Sequence, residues 1–368
     1  MGDSKGSTKR AEEGCVILKI LFIVLASNTI GYGHLNRCVS LSVEKQLSDH
    51  IKEWIILRDS STQKLKELPS DQVRNYPIAE FASFSTDKMK SCMAGADVIV
   101  TDIVHGTFMK QKEATRNLFQ AVRASAKIWV AIDSVGAQSM GAQKLADDTD
   151  ILVIPYLTDE PEPRPLKGKL LRGPEYALLA PSYRAGIDRQ HRSNANRIMV
   201  SCGGSDPTEC SLVVLEALNK IKAPLEIRLV VGPLFSDSLK AKIAQALASS
   251  SHKYSTVVSP PHLRNEMLWC DMAITTTGLV KYELAATQTP AVVFSIDPLH
   301  DSLNEPFAAG GSVVDLGVSP DVERIAKETE RLLGSLPQRK ALAVAGAKIV
   351  DGKGAERVAA KIVETEAC

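Results

Sequence analysis

Short apolar runs alternate with amphipathic stretches along almost the whole chain. In the first half the runs fall at residues 17–25, 54–57, 98–101, 128–132 and 151–154. Between them, apolar residues recur every three to four positions at 35–47, 86–94 and 112–126. These periods predict strands for the first set and helices for the second. Continuous apolar strands bounded by helices are buried on both faces, which requires a parallel sheet covered on each side.

The alternation breaks after Pro155, where Thr158-Asp159-Glu160-Pro161-Glu162-Pro163-Arg164-Pro165 is too rich in proline and charge for regular core structure. It reads as a surface loop near a domain junction, with the boundary somewhere in residues 176–194. The pattern then restarts, with strands expected at 198–202, 226–231, 255–258, 272–275 and 291–295 and helices at 208–221, 237–248, 279–287 and 322–333. The expected organisation is a disordered tail over 1–15, a Rossmann-like domain over 16–180 and a second over 181–368. Two doubly wound α/β halves place a ligand outside the carboxyl ends of their strands, in the cleft between them.

A length of 368 residues fits two such domains. With 44 basic against 43 acidic residues, no net field draws the chain to nucleic acid or to an anionic membrane. A phosphate ligand must therefore be held locally, by amides, helix ends and one or two side chains. Seven scattered cysteines, odd in number and without close pairs, read as free thiols of a cytoplasmic protein and offer no zinc site. The apolar stretch 20–26 is too short to cross a bilayer, and Gly6 breaks an N-terminal acylation pattern. Nothing in the sequence bears on oligomeric state.

Chemistry concentrates at the exit of the first apolar run, in Gly31-Tyr32-Gly33-His34. Glycines let backbone approach a ligand closely, and an imidazole can exchange protons near neutrality. Gly203 and Gly204 repeat the glycine turn after the first strand of the second half. Neither turn matches the full dinucleotide fingerprint and no P-loop is present, so no nucleotide cofactor is expected. Asp206, ahead of Pro207 and Thr208, suits a helix N-cap. Asp102 and Asp133 each end a strand, where they either meet a ligand or cap the next helix.

Four segments in order, Gly31-Tyr32-Gly33-His34-Leu35-Asn36-Arg37-Cys38, Leu171-Arg172-Gly173-Pro174-Glu175-Tyr176-Ala177-Leu178-Leu179, Val200-Ser201-Cys202-Gly203-Gly204-Ser205-Asp206-Pro207 and Tyr282-Glu283-Leu284-Ala285-Ala286, resemble the PseG/SpsG family of nucleotide-sugar hydrolases. That family is related to MurG-type glycosyltransferases of the GT-B fold, and the resemblance covers about residues 16–320. It implies a GT-B fold and, without a metal, release of UDP from a deoxy amino sugar on a route to a nonulosonic acid such as pseudaminic acid. It further implies His34 as the base that activates water, Glu283 on the ribose hydroxyls, and a cleft role for Gly31, Tyr32, Gly33, Gly204 and Ser205. The alternatives are a GT-B glycosyltransferase using the same donor, and a binding protein without catalysis.

Arg37, about one turn after His34, either meets phosphate or sugar or lies on the surface; Tyr32 either stacks on the sugar or packs the loop. The chain departs from the family at Thr275-Thr276-Thr277-Gly278-Leu279-Val280-Lys281, where one glycine and the hydroxyls after it are missing. Thr276 or Thr277 is expected to supply a hydroxyl there, beside Gly278 and Leu279, with Lys281 as a compensating charge. A second departure is Asn304-Glu305, displaced from the family's asparagine-glutamine pair at the sugar site, with His300 and Asp301 nearby. Sugar, nucleobase and acceptor stay open.

Overall fold

The computed structural model describes residues 17–27, 31–59, 68, 72–105, 109–133, 147–157, 167–184, 187 and 189–366. The expected tail at 1–15 and the proline-rich segment at 158–165 lie outside them. Two parallel sheets form, one per half. The first contains β1 (Lys19–Leu25), β2 (Ile51–Arg58), β3 (Gln72–Pro77), β4 (Val98–Asp102), β5 (Ile128–Ile132), β6 (Ile151–Ile154) and β7 (Lys169–Arg172), in the order β3-β2-β1-β4-β5-β6-β7. The second contains β8 (Arg197–Ser201), β9 (Glu226–Val231), β10 (Lys253–Val258), β11 (Met272–Thr276), β12 (Ala291–Ser295) and β13 (Val314–Val318), in the order β10-β9-β8-β11-β12-β13.

Both orders reverse beside the first strand of their half, between β1 and β4 and again between β8 and β11. There the connections leave in opposite directions and open a crevice at the carboxyl ends of the strands. The register puts Val24 beside Asp102, so the loops that follow β1 and β4 emerge together. Thr275 pairs with Ser201 in the same way, bringing together the loops after β8 and β11.

Five helices bear on the site: α1 (Gly33–Ser42), α2 (Lys112–Ser125), α3 (Cys210–Asn219), α4 (Val280–Ala286) and α5 (Gly354–Glu366). The central strands are buried on both faces; one core contains Leu21, Ile23 and Leu118 of α2, and the opposite face contains Ile20, Phe22 and Trp54. That second core is completed by α5, near the end of the chain, through Ala355, Val358, Ala359 and Ile362. Tyr156 and Leu157, just past β6, meet α4 of the second half: the Leu157 amide donates to the Tyr282 hydroxyl at 3.1 Å, and the two tyrosine rings pack edge-on at 6.0 Å.

The apolar strands lie where periodicity places them. Three strands without a clear apolar run, β3, β7 and β13, are additional, and all three are sheet edges. Edge strands meet solvent along one side and need no continuous apolar sequence.

Candidate active site

The short loop from β1 into α1 turns at Gly31, whose φ of 82° is costly for any other residue and whose amide donates to the Ser27 carbonyl at 2.7 Å. The turn delivers His34 to the first turn of α1, 7% exposed. Its Nδ1 lies 2.5 Å from Oδ1 of Asp102, the last residue of β4 and 0% exposed. A carboxylate at that nitrogen selects the tautomer in which Nδ1–H donates, leaving Nε2 as the acceptor. Burial alone would raise the Asp102 carboxyl, but the charges and hydrogen bonds of Arg37 and His34 bring it below the ordinary carboxylate value.

Arg37 does not lie on the surface. It is buried, and its Nε and one terminal nitrogen donate to the two Asp102 oxygens at 2.9 Å each. The same terminal nitrogen is 2.9 Å from His34 Nδ1, a donor-to-donor contact in that tautomer, and the guanidinium lies over the Tyr156 ring at 5.6 Å. A bidentate guanidinium neutralises the buried carboxylate and fixes its plane. Asp102 therefore serves as the partner of His34, one step back from any ligand.

A cavity of about 440 Å³ opens between the two switch points. Its wall includes Gly31, Tyr32, Gly33, Asn36 and His105 from the first half. From the second half come Gly204, Ser205, Thr276, Thr277, Gly278, Leu279, Glu283 and His300. His34 adjoins this wall: it follows Gly33, and its ring meets that of His105 with centroids 6.1 Å apart and planes at 87°. Among the described residues of the wall there is no lysine or arginine.

The second half presents backbone and hydroxyls. Gly203 has a φ of 81°, and Gly232, the residue after β9, lies so close that an added Cβ would stand 2.3 Å from the Gly204 carbonyl oxygen. The Asp206 carboxylate accepts from the Cys210 and Ser211 amides at 2.8 and 2.9 Å, capping α3 from outside the helix. Glu283, in the first turn of α4, receives a hydrogen bond from the buried Tyr183 hydroxyl, whose pKa is raised by burial and by the Glu283 charge. Thr277 pairs its hydroxyl with that of Ser295 at 2.9 Å.

Asn304 is 0% exposed and turned into the interior, where its amide nitrogen donates to Ser295 Oγ at 2.9 Å. Its Oδ1 accepts from Lys281 Nζ at 3.3 Å, and that ammonium also donates to the Leu303 carbonyl. Lys281 thus lies behind the cavity wall. Burial pulls its amine down to about 7, against a smaller upward influence of Asp315.

The structure places Asp102, His105 and Tyr183 at the candidate site, where the sequence alone leaves Asp102 undecided and the other two unseen. An apolar strand ending in aspartate is the one available signal for Asp102. His105, just before Gly106 in the loop after the same strand, carries a similar weak signal. Tyr183 has none. Among the described residues, no three His, Cys, Asp or Glu side chains are grouped to share a metal ion.

No family model matches the chain. It is 27% identical over 196 residues to the spore coat polysaccharide biosynthesis protein SpsG of Bacillus subtilis (strain 168), covering 52% of this chain and 57% of that one. An uncharacterized protein of Methanocaldococcus jannaschii, MJ1062, is 23% identical over 288 residues, 75% of this chain and 55% of that one. The chain thus spans little more than half the length of the curated relatives it matches. Among solved structures, Acinetobacter baumannii MurG superposes with a TM-score of 0.63 at 14% identity, over 95% of this chain and 99% of that one. S. aureus MnaA, solved with UDP, gives 0.61 at 12% identity over 93% and 95%. Spinosyn rhamnosyltransferase SpnG gives 0.59 at 15% identity over 95% and 100%.

The fold is GT-B, two facing parallel-sheet α/β domains of the glycosyltransferase type. Within that class the chain is similar, over about half its length, to the SpsG protein of Bacillus subtilis.

Proposed function

We propose that the protein hydrolyses a UDP-activated deoxy amino sugar at the anomeric carbon–oxygen bond, releasing UDP and the free sugar for nonulosonic acid or related glycan synthesis. The observation that carries this reading is the hydrogen bond from His34 to buried Asp102 beside the glycine-walled cavity. An imidazole oriented through Nδ1 has one task left for Nε2, which is to accept the proton of the nucleophile. Water attacks the anomeric carbon, its proton passes to His34, and the electron pair of the broken bond leaves on the β-phosphate oxygen of UDP.

UDP is a good leaving group whose growing charge needs donors in place before reaction. Backbone around Gly204 and Gly278 and the Thr277 hydroxyl supply them, and Glu283, held by Tyr183, accepts from the ribose hydroxyls. Support for UDP as the nucleotide comes from the UDP co-structure of the MnaA neighbour. A second reading, transfer of the sugar to an acceptor hydroxyl, is favoured by the rhamnosyltransferase among the neighbours. Screening UDP-, CMP- and GDP-sugars for nucleotide release tests the proposal. Release from a UDP-amino sugar without added acceptor is expected, whereas release only with an acceptor supports transfer.

A further inference from the structure

His105 borders the cavity three residues past Asp102, so the same strand end that orients His34 also delivers a second imidazole. The two rings stand nearly perpendicular with centroids 6.1 Å apart, His105 on the cavity wall and His34 next to Gly33 of that wall. We propose that His105 is a second catalytic residue, which accepts a hydrogen bond from the attacking water while His34 takes that water's other proton. The proposal rests on the hydrolytic reading above.

The argument concerns the number of protons on the nucleophile. Water approaching the anomeric carbon carries two O–H bonds and must aim a lone pair at the carbon. His34 Nε2 can engage one O–H only, since Nδ1 is committed to Asp102. One hydrogen bond leaves water free to rotate about it, and attack needs a fixed direction. A second acceptor removes that freedom. Atoms balance: water oxygen bonds to the anomeric carbon, one proton goes to His34, the other stays on the new sugar hydroxyl facing His105, and the phosphate oxygen leaves with the bonding electrons. A sugar acceptor has a single hydroxyl proton and gives a second acceptor nothing to hold.

The surroundings suit an acceptor. Burial first, then the neighbouring His34, His300 and Lys110, lower the His105 pKa from its ordinary value, which favours the neutral, accepting form of the ring.

The test compares wild type, His34→Asn, His105→Leu and His105→Gln for UDP release from a UDP-amino sugar and for UDP affinity by calorimetry. His105→Leu is expected to lower kcat about 100-fold with UDP affinity unchanged. His105→Gln, whose amide oxygen accepts but does not protonate, is expected to retain more of kcat and to flatten the acid limb of the pH profile. Wild-type kcat in His105→Leu, in a preparation where His34→Asn is inactive, overturns the role of His105 and leaves hydrolysis standing. If His105→Leu also loses UDP affinity, an unaltered acid limb in His105→Gln overturns the role. A wild-type protein that binds UDP but releases none overturns the hydrolytic reading, and the role of His105 falls with it.

Discussion

Asp102 is the residue on which the candidate active site depends in two separate ways. It selects the His34 tautomer, and it neutralises a buried guanidinium. Asp102→Asn therefore is expected to lower turnover by about 100- to 10,000-fold through lost orientation of the base. It also leaves Arg37 buried and unpaired, at a cost of about 3–5 kcal/mol in urea unfolding. The pH dependence has a definite sign. A carboxyl held below its unfolded value stabilises the fold fully above the unfolded pKa of about 3.9 and loses that contribution as pH falls through the lower folded value. The Asn variant should lose that part of the acid sensitivity, which acid titration followed by circular dichroism checks.

At the scale of elements, α4 has two duties that pull on neighbouring residues. Glu283 faces the cavity, whereas Lys281, two positions earlier, is driven into the interior, where it holds Asn304 and through it Ser295 and Thr277. With its amine near 7 in the fold and about 10.4 when unfolded, the unfolded chain binds more protons between those values. Stability therefore rises with pH across that window. Thermal melts of Lys281→Met should lack this rise; an identical slope in wild type and variant would assign the low amine to the wrong group. The same elements show what sequence can carry. Buried strands such as β4 and β5 announce themselves by unbroken apolar runs, and Gly31 and His34 by their types. Edge strands β3 and β7 do not, because half of each faces solvent. Arg37 and Asn304 were legible as polar residues near the site but not as interior ones, since burial of a polar side chain depends on partners 65 and 9 residues away.

Across the whole molecule, the two halves are joined by more than the chain between β7 and β8. Helix α5 closes the core of the first sheet from the far end of the sequence, and Arg184 links Glu44 in the first half to Glu356 on that helix. The return could not be read from local periodicity, which shows that a helix has an apolar face but not which sheet receives it. Ile362→Ala should cost about 2–5 kcal/mol in denaturant unfolding, the expected range for a large-to-small change in a closed core. A loss under about 0.5 kcal/mol, the size of a surface substitution, would mean that α5 does not seal the core. The facing glycine loops and the His34–Asp102 pair acquire chemical meaning only with a substrate in the cleft between them. The most direct measurement is turnover of a UDP-amino sugar in oxygen-18 water, with wild type and His34→Asn side by side. Label on the anomeric hydroxyl of the free sugar, none on UDP, and loss of turnover in the variant are predicted. Label on the UDP phosphate, or full turnover by His34→Asn, would contradict the account.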